Sequence, residues 1–374
     1  MSAAPSIISL ESLAAPPDRE AADFVAVADG QRRRVRLAIG AGALVLVLSA
    51  VGAVGVGAVP IRPAEVVAIL AGQVGLALSV PFTEQQAAVL LAIRLPRVLL
   101  AMAVGAGLAT SGALLQGLFR NPLADPGLVG VSSGAALGAA TAIVLGTGGI
   151  AGAILPGAAV AVAAFVGGLA ATVLVYQIGT RGGRTSVATM LLAGIAVNAL
   201  AGAGVGMLVL FADDAALRNL TFWTLGSLGG ATWPALATVL PPILAVVAAG
   251  PLLARSLNAM LLGESEARHL GVRTQRTKRL AIGLSALAVG GATAVAGLIG
   301  FVGLVAPHLV RLALGPDHRA VLPGAAVLGA ALLVGADALA RTVLQPVEIP
   351  IGIVTALVGA PFFLWLLLRE RPTL

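Results

Sequence analysis

Apolar stretches recur from residue 37 to residue 368, and only short polar or charged interruptions separate them. A helix needs about 20 apolar residues to cross a bilayer. On that measure the pattern predicts spans at residues 37–59, 98–118, 127–146, 151–178, 188–211, 232–253, 280–297, 298–314, 321–341 and 350–368. The pair 280–314 is divided only by GLIGFVG, a tight turn without charges. Residues 65–80 are also apolar, but they are short and bracketed by Pro63 and Pro81, and so predict a partly buried surface helix. The expected fold class is an all-α polytopic membrane protein with ten transmembrane helices, covering residues 35–374 as one domain.

The polar interruptions carry the contrast. The longest is 255–279, RSLNAMLLGESEARHLGVRTQRTKR, with six basic residues and the only lysine, Lys278. Leu257, Met260, Leu261 and Leu262 fit one or two short amphipathic helices there, followed by a basic run. An element too short to be a domain, standing in water, suggests a docking site for another protein. Residues 1–34 form a tail rich in polar residues, with acids at Glu11, Asp18, Glu20, Asp23 and Asp29, and are expected to be disordered and cytoplasmic. The QRRRVR run at 31–36 flanks the first span rather than a cleavage site. NPLADPG at 121–127, with two X-Pro steps, reads as a rigid turn in which Asp125 caps the start of the next helix.

Composition removes soluble readings: 59% of residues are hydrophobic, 10% charged, and mean hydropathy is +1.02. The 48 glycines suit helix contacts in lipid, where close backbone approach replaces the hydrophobic drive. The net charge of +7 is spread over membrane-flanking loops, which argues against nucleic acid as a partner. With the N-terminus inside, only Arg62, Arg94, Arg97, Arg218 and Arg341 of the 23 basic residues fall outside. That bias predicts both termini in the cytoplasm, and places 255–279 there too.

The available chemistry is sparse. Zero cysteines exclude disulfides and thiolate sites, and neither a metal nor a cofactor is expected on this chain. A Walker A loop needs a lysine directly after its second glycine, whereas Lys278 lies in RTKRL. Intramembrane ionisable groups are few: His308, and Asp337 with Arg341, four apart on one helix face and able to neutralise each other. An external motor docking on 255–279 is then the economical energy source. A different class rests on Gly130-Val131-Ser132-Ser133-Gly134, which matches G-x-S-x-G and would make an intramembrane hydrolase with His308. Helix packing by Ser132, Ser133, Gly134 and Gly138 is the competing account. Asn198, Gln116, Thr110 and Ser111 read as interhelical hydrogen-bond partners.

Several stretches, in this order, resemble permease subunits of ABC importers for ferric siderophores, haem and vitamin B12. They are RLPRVLLAMAVGAGLATSGALLQGLFRNPLADPGLVGVSSGAALGA (94–139), LLAGIAVN (191–198), FWTLGSL (222–228), LGESEARHLGV (262–272), GLIGFVGLVAPHLVRL (297–312) and EIPIGIVTALVGAPFFLWLL (348–367). The resemblance implies a multi-pass protein of the bacterial inner membrane, working as a homodimer. It further implies two cytosolic ABC ATPase subunits that use ATP and Mg, and a periplasmic substrate-binding protein. Leu262, Gly263, Glu264, Ala267, Arg268, Leu270 and Gly271 resemble the family's ATPase-coupling helices. Arg94, Arg97 and Arg341 resemble arginines that face the periplasm and pair with acidic residues of the binding protein. The alternative for these three is interfacial anchoring by long basic side chains.

The segments 202–233 and 127–139 are most similar to the haem branch, which implies haem (hemin) as cargo, with a ferric siderophore or cobalamin as the alternative. A smooth pathway of small and aliphatic residues would let cargo slide without iron ligation. Asn198 is a candidate for the translocation pathway, and Thr185, Ser186 and Thr189 for its inner gate.

Overall fold

The computed structural model describes residues 17–57, 59–146 and 157–369. Met1–Ala41 and Gly42–Leu374 separate as two compact units. In the first, the chain is helical from Pro17, so the disordered tail expected over 1–34 gives way to regular structure; residues 1–16 lie outside the described residues. An exposed Asp29–Arg32 ion pair at 3.7 Å, one turn apart, supports that helix.

The helices are α1 (Pro17–Gly55), α2 (Pro63–Gln73), α3 (Glu84–Ala88), α4 (Leu95–Phe119), α5 (Val131–Val144), α6 (Ala159–Gly179), α7 (Val187–Val209) and α8 (Asp214–Leu225). There follow α9 (Trp233–Ala249), α10 (Ala254–Leu261), α11 (Glu264–His269), α12 (Thr274–Ala296), α13 (Val302–Leu314), α14 (His318–Thr342) and α15 (Ile351–Arg369). A two-stranded hairpin, β1 (Thr180–Arg181) and β2 (Arg184–Thr185), joins α6 to α7. Seven helices among the described residues are long and apolar enough to cross a bilayer, and Val131–Val144, Val302–Leu314 and Ile351–Leu366 are shorter apolar helices. Each of the ten expected spans has its helix.

Three boundaries differ from expectation, each for a physical reason. Helix α12 begins at Thr274 rather than 280, because the basic run 273–279 is its first two turns. Helix α13 begins only at Val302, after Gly297 (φ 68°) and Phe301 (φ 67°) turn the chain, so at 1.5 Å per residue it reaches about 20 Å, short of the about 30 Å hydrocarbon core. The stretch 212–231, left without an element by hydropathy, contains α8, capped by Asp213, whose carboxylate accepts from Ala216 N at 2.7 Å.

Helix α4 is the axis of the second unit, buried along nearly its whole length and packed by α9, α12, α13 and α14. It can be surrounded because its contact face is small. A Cβ at Gly105 would run into the carbonyl of Gly329 on α14, and one at Gly112 into the carbonyl of Gly303 on α13. The second pack, α5 against α6, uses the same device: Gly134 faces Gly167, and Gly138 faces Ala163. Close backbone approach lets dispersion do what hydrophobic exclusion does in water. Before α4, residues Val89–Arg94 form a π-helical stretch, and the carbonyl of Leu91 accepts from Trp233 Nε1 at 3.0 Å.

Candidate docking faces at the two ends of the bundle

At one end lie the α4–α5 turn, the hairpin, α10 and α11. Arg120, in the left-handed conformation (φ 50°), ends α4, and the Asp125 carboxylate accepts from Gly127 N at 2.7 Å to start a 3-10 turn at Pro126–Val129. Burial pushes the Asp125 carboxyl above its ordinary value, against the lowering by that backbone bond. Asp125 is thus the cap its spacing suggested.

The docking segment is two helices. Helix α10 turns Ala254, Leu257 and Met260 inward, while Leu261 and Leu262 face out. Gly263 (φ 126°) redirects the chain into α11, and Gly271 (φ 80°) redirects it out again, conformations that a Cβ disfavours. Ala267 is the buried foot of α11, whereas Leu262, Arg268 and Leu270 are exposed. The Asn258 side chain spans to α14: its Nδ2 donates to Asp317 Oδ1 at 2.6 Å, and its Oδ1 accepts from His318 N at 2.9 Å.

Glu264 turns its carboxylate toward α12. Its carboxylate accepts from Lys278 Nζ at 2.7 Å and from Gln275 Nε2 at 3.2 Å. Burial raises the Glu264 carboxyl, but the Lys278 hydrogen bond and charge, with Arg268 and Thr274, outweigh it and leave the group below its ordinary value. Lys278 is 1% exposed, so the basic run is not wholly a surface feature, although Arg273, Arg276 and Arg279 are exposed. An ammonium tolerates such burial only when paired.

The residues considered for a pathway or gate have structural partners as well. Thr185, on β2, is buried, its N donating to Gln275 Oε1 at 3.0 Å and its O accepting from Lys278 Nζ at 2.7 Å. Ser186 caps α7, accepting from Thr189 N at 3.3 Å. Asn198 donates from Nδ2 to the carbonyl of Gly127 at 3.2 Å, tying α7 to the 3-10 turn. Of the other polar residues, Gln116 reaches the carbonyls of Gly303 and Leu304 at 3.4 Å, while Thr110 bonds back to Ala106 within its own helix.

At the opposite end of α4 and α14 stand the three arginines expected at an exposed rim. Arg94, Arg97 and Arg341 are instead only 4%, 7% and 8% exposed. Arg94 donates to the carbonyls of Val54 and Gly55 at 3.0 Å, and to that of Val59. Arg97 meets Asp337 at 2.9 Å and Glu348 at 2.9 Å, and Arg341 meets Asp337 at 3.0 Å and the carbonyl of Ala53 at 3.0 Å. The physical reason is a shortage of solvent: long basic side chains under the end of α1 find main-chain oxygens and an intramembrane acid nearer than water. Glu348, with its side chain 50% exposed, is the member of the cluster that still reaches outward.

The hydrolase alternative lacks its geometry. Ser132 sits in the first turn of α5, led by a 3-10 turn through Gly130 (φ 83°) rather than by a strand. The His308 ring packs edge-on to Phe362 at 6.1 Å.

Comparison with known proteins agrees with this geometry. Residues 44–369 match the model of the FecCD transport family. The chain is 48% identical over 279 residues to a hemin transport system permease protein, HmuU, of Yersinia pestis, covering 75% of this chain and 83% of that one. It is 46% identical over 281 residues to a cobalamin import system permease protein, BtuC, of Halobacterium salinarum, covering 75% and 73%. A solved inward-facing conformation of a metal-chelate type ABC transporter superposes with a TM-score of 0.75 at 34% identity, covering 88% of this chain and 98% of that one.

Proposed function

The chain belongs to the FecCD transport family, as a multi-pass permease of an ABC importer in the inner membrane, and we propose that its cargo is haem, delivered from periplasm to cytoplasm. The observation that carries the cargo is the 48% identity with a hemin permease along most of both chains. The 46% identity with a cobalamin permease favours cobalamin as the second reading.

In this proposal the permease works as a homodimer around a shared pathway. Two cytosolic ATPase subunits seat on α10 and α11 through the exposed Leu262, Arg268 and Leu270, and they hydrolyse the ATP, with Mg. Glycines at 263 and 271 give α11 a fixed tilt, and Ala267 lets it lie flat on the bundle. Closure of the ATPase pair then rocks whole helices rather than bending them, since the α4–α14 and α5–α6 contacts are backbone against backbone. A periplasmic binding protein docks at the opposite end. There Arg94, Arg97 and Arg341 supply positive charge from beneath the surface, and Glu348 is the group within reach. Asn198, Thr185, Ser186 and Thr189 belong to the inner half of the pathway wall.

The deciding experiment is uptake into proteoliposomes holding permease, ATPase and binding protein. Hemin accumulation that requires ATP, with cyanocobalamin and a ferric siderophore excluded, is the expected outcome. Cyanocobalamin uptake without hemin uptake would transfer the assignment to the second reading. The permease alone is expected to hydrolyse no ATP.

A further inference from the structure

Side chains from α11 and α12 close a ring around one residue of the hairpin, Thr185. Lys278 Nζ donates to Thr185 O at 2.7 Å and to Glu264 Oε2 at 2.7 Å. Gln275 accepts from Thr185 N at 3.0 Å through Oε1, and donates from Nε2 to Glu264 Oε1 at 3.2 Å. Both main-chain groups of Thr185 are therefore held by residues that also hold the same carboxylate, and that carboxylate is the first residue of α11. From Thr185 the chain enters α7 at once, with Ser186 as its cap. The hairpin's other strand is tied in by Thr180 Oγ1 and Thr185 Oγ1, 2.9 Å apart.

Resting on the permease reading above, we propose that Lys278 and Gln275 lock the hairpin 180–185 to the ATPase-docking helix, so that displacement of α11 is delivered to α7. Lys278 is on this account a positioning residue for ATP-driven transport. The energetics favour a stiff link. A buried charge pair is costly to open, because either partner left alone in a low-dielectric setting loses its compensation. The Lys278 ammonium is 2% exposed and the Glu264 side chain 34%, so separation would strand the lysine in particular. Four bonds that share two side chains, Lys278 and Gln275, and one carboxylate also fix direction as well as distance, as a single contact would not. The Asn258 contacts to Asp317 and His318 form a separate clasp onto α14, so one docking segment grips the bundle at two independent places.

The chain has no cysteine, so Arg181→Cys places a single thiol on the exposed part of the hairpin. With the full complex in proteoliposomes and hemin as cargo, Lys278→Met is expected to assemble and to hydrolyse ATP within about twofold of wild type. It should move at least tenfold less hemin per ATP, and the thiol introduced on β1 should stop changing reactivity between nucleotide-free and vanadate-trapped states. A merely structural lysine would shift stability and leave the hemin-to-ATP ratio intact. Gln275→Ala, which spares the ion pair, provides the same test should Lys278→Met fail to assemble. An unchanged ratio with a normally switching thiol overturns the lock, as does loss of ATP hydrolysis in parallel with transport in Gln275→Ala. ATP-driven uptake of no cargo by wild type would instead remove the permease reading, which separates the two failures.

Discussion

Arg341 lies 3.0 Å from Asp337, one turn earlier on the same helix, and the two side chains are 7% and 1% exposed. Arg97, from α4, approaches the same acid at 2.9 Å. One carboxylate thus compensates two buried guanidinium groups on different helices. Replacing it by alanine leaves Arg341 without a counter-charge and Arg97 with only the half-exposed Glu348, and an unpaired buried charge costs about 3–5 kcal/mol. Asp337→Ala should therefore unfold far more readily than wild type in detergent, read by thermal denaturation. Arg32→Ala, which breaks only an exposed pair, should change stability by no more than about 1 kcal/mol. Equal effects from the two substitutions would refute a buried charge cluster.

Glycine contacts give a second contrast. Gly112→Ala drives a methyl into the Gly303 carbonyl where α4 crosses α13, and overpacking of this kind costs about 1–3 kcal/mol. Gly202 on α7 has nothing within 4 Å of where a Cβ would stand. There Gly202→Ala should stabilise by about 0.4–1 kcal/mol through the unfolded chain. Thermal midpoints that move in the same direction for both would contradict the packing described.

The Glu264 carboxyl titrates below its ordinary value of 4.5 in the folded protein. Its folded-state value being the lower one, its contribution is complete above about 4.5 and is lost as pH falls through the depressed value. The difference in thermal midpoint between wild type and Glu264→Gln should then be constant from pH 7 down to about 5 and should shrink on further acidification. A difference that grows with acid would reverse the sign and exclude Lys278 as the dominant partner.

Exposed leucines test the inner docking face. Leu262 and Leu270 are 69% and 64% exposed, so Leu262→Asp and Leu270→Asp should leave the thermal midpoint almost unchanged, surface substitutions costing within about 0.5 kcal/mol. Affinity for the ATPase subunits, measured by titration in detergent, should fall at least tenfold. Unchanged affinity would move the docking face elsewhere.

Local pattern carried much of this architecture. Hydropathy located a helix for each of the ten expected spans, seven of them long and apolar enough to cross a bilayer. The turn chemistry of Asn121–Gly127 and the cap at Asp125 were readable from a few residues, and the G-E-S-E-A-R-H string marked α11 between its two glycines. What stayed hidden depends on partners far along the chain. Arg97 is buried because Asp337 and Glu348, some 240 and 251 residues later, come to meet it. Lys278 sits in a run that reads as surface, and only the fold brings Glu264 and the Thr185 carbonyl to it. The hairpin has strands of two residues each, too short for any alternation of polar and apolar positions to register. Helix α8 escaped because its acids at 213 and 214 depress hydropathy where a cap requires them.

The ring at the inner face grips Thr185 by its amide and carbonyl, the atoms that every residue except proline presents. These two bonds place no demand on the side chain at 185, whose hydroxyl is engaged separately with Thr180 Oγ1 at 2.9 Å. On the permease reading proposed above, the side chains of the hairpin and the transmission of displacement through its main chain are then free to diversify separately.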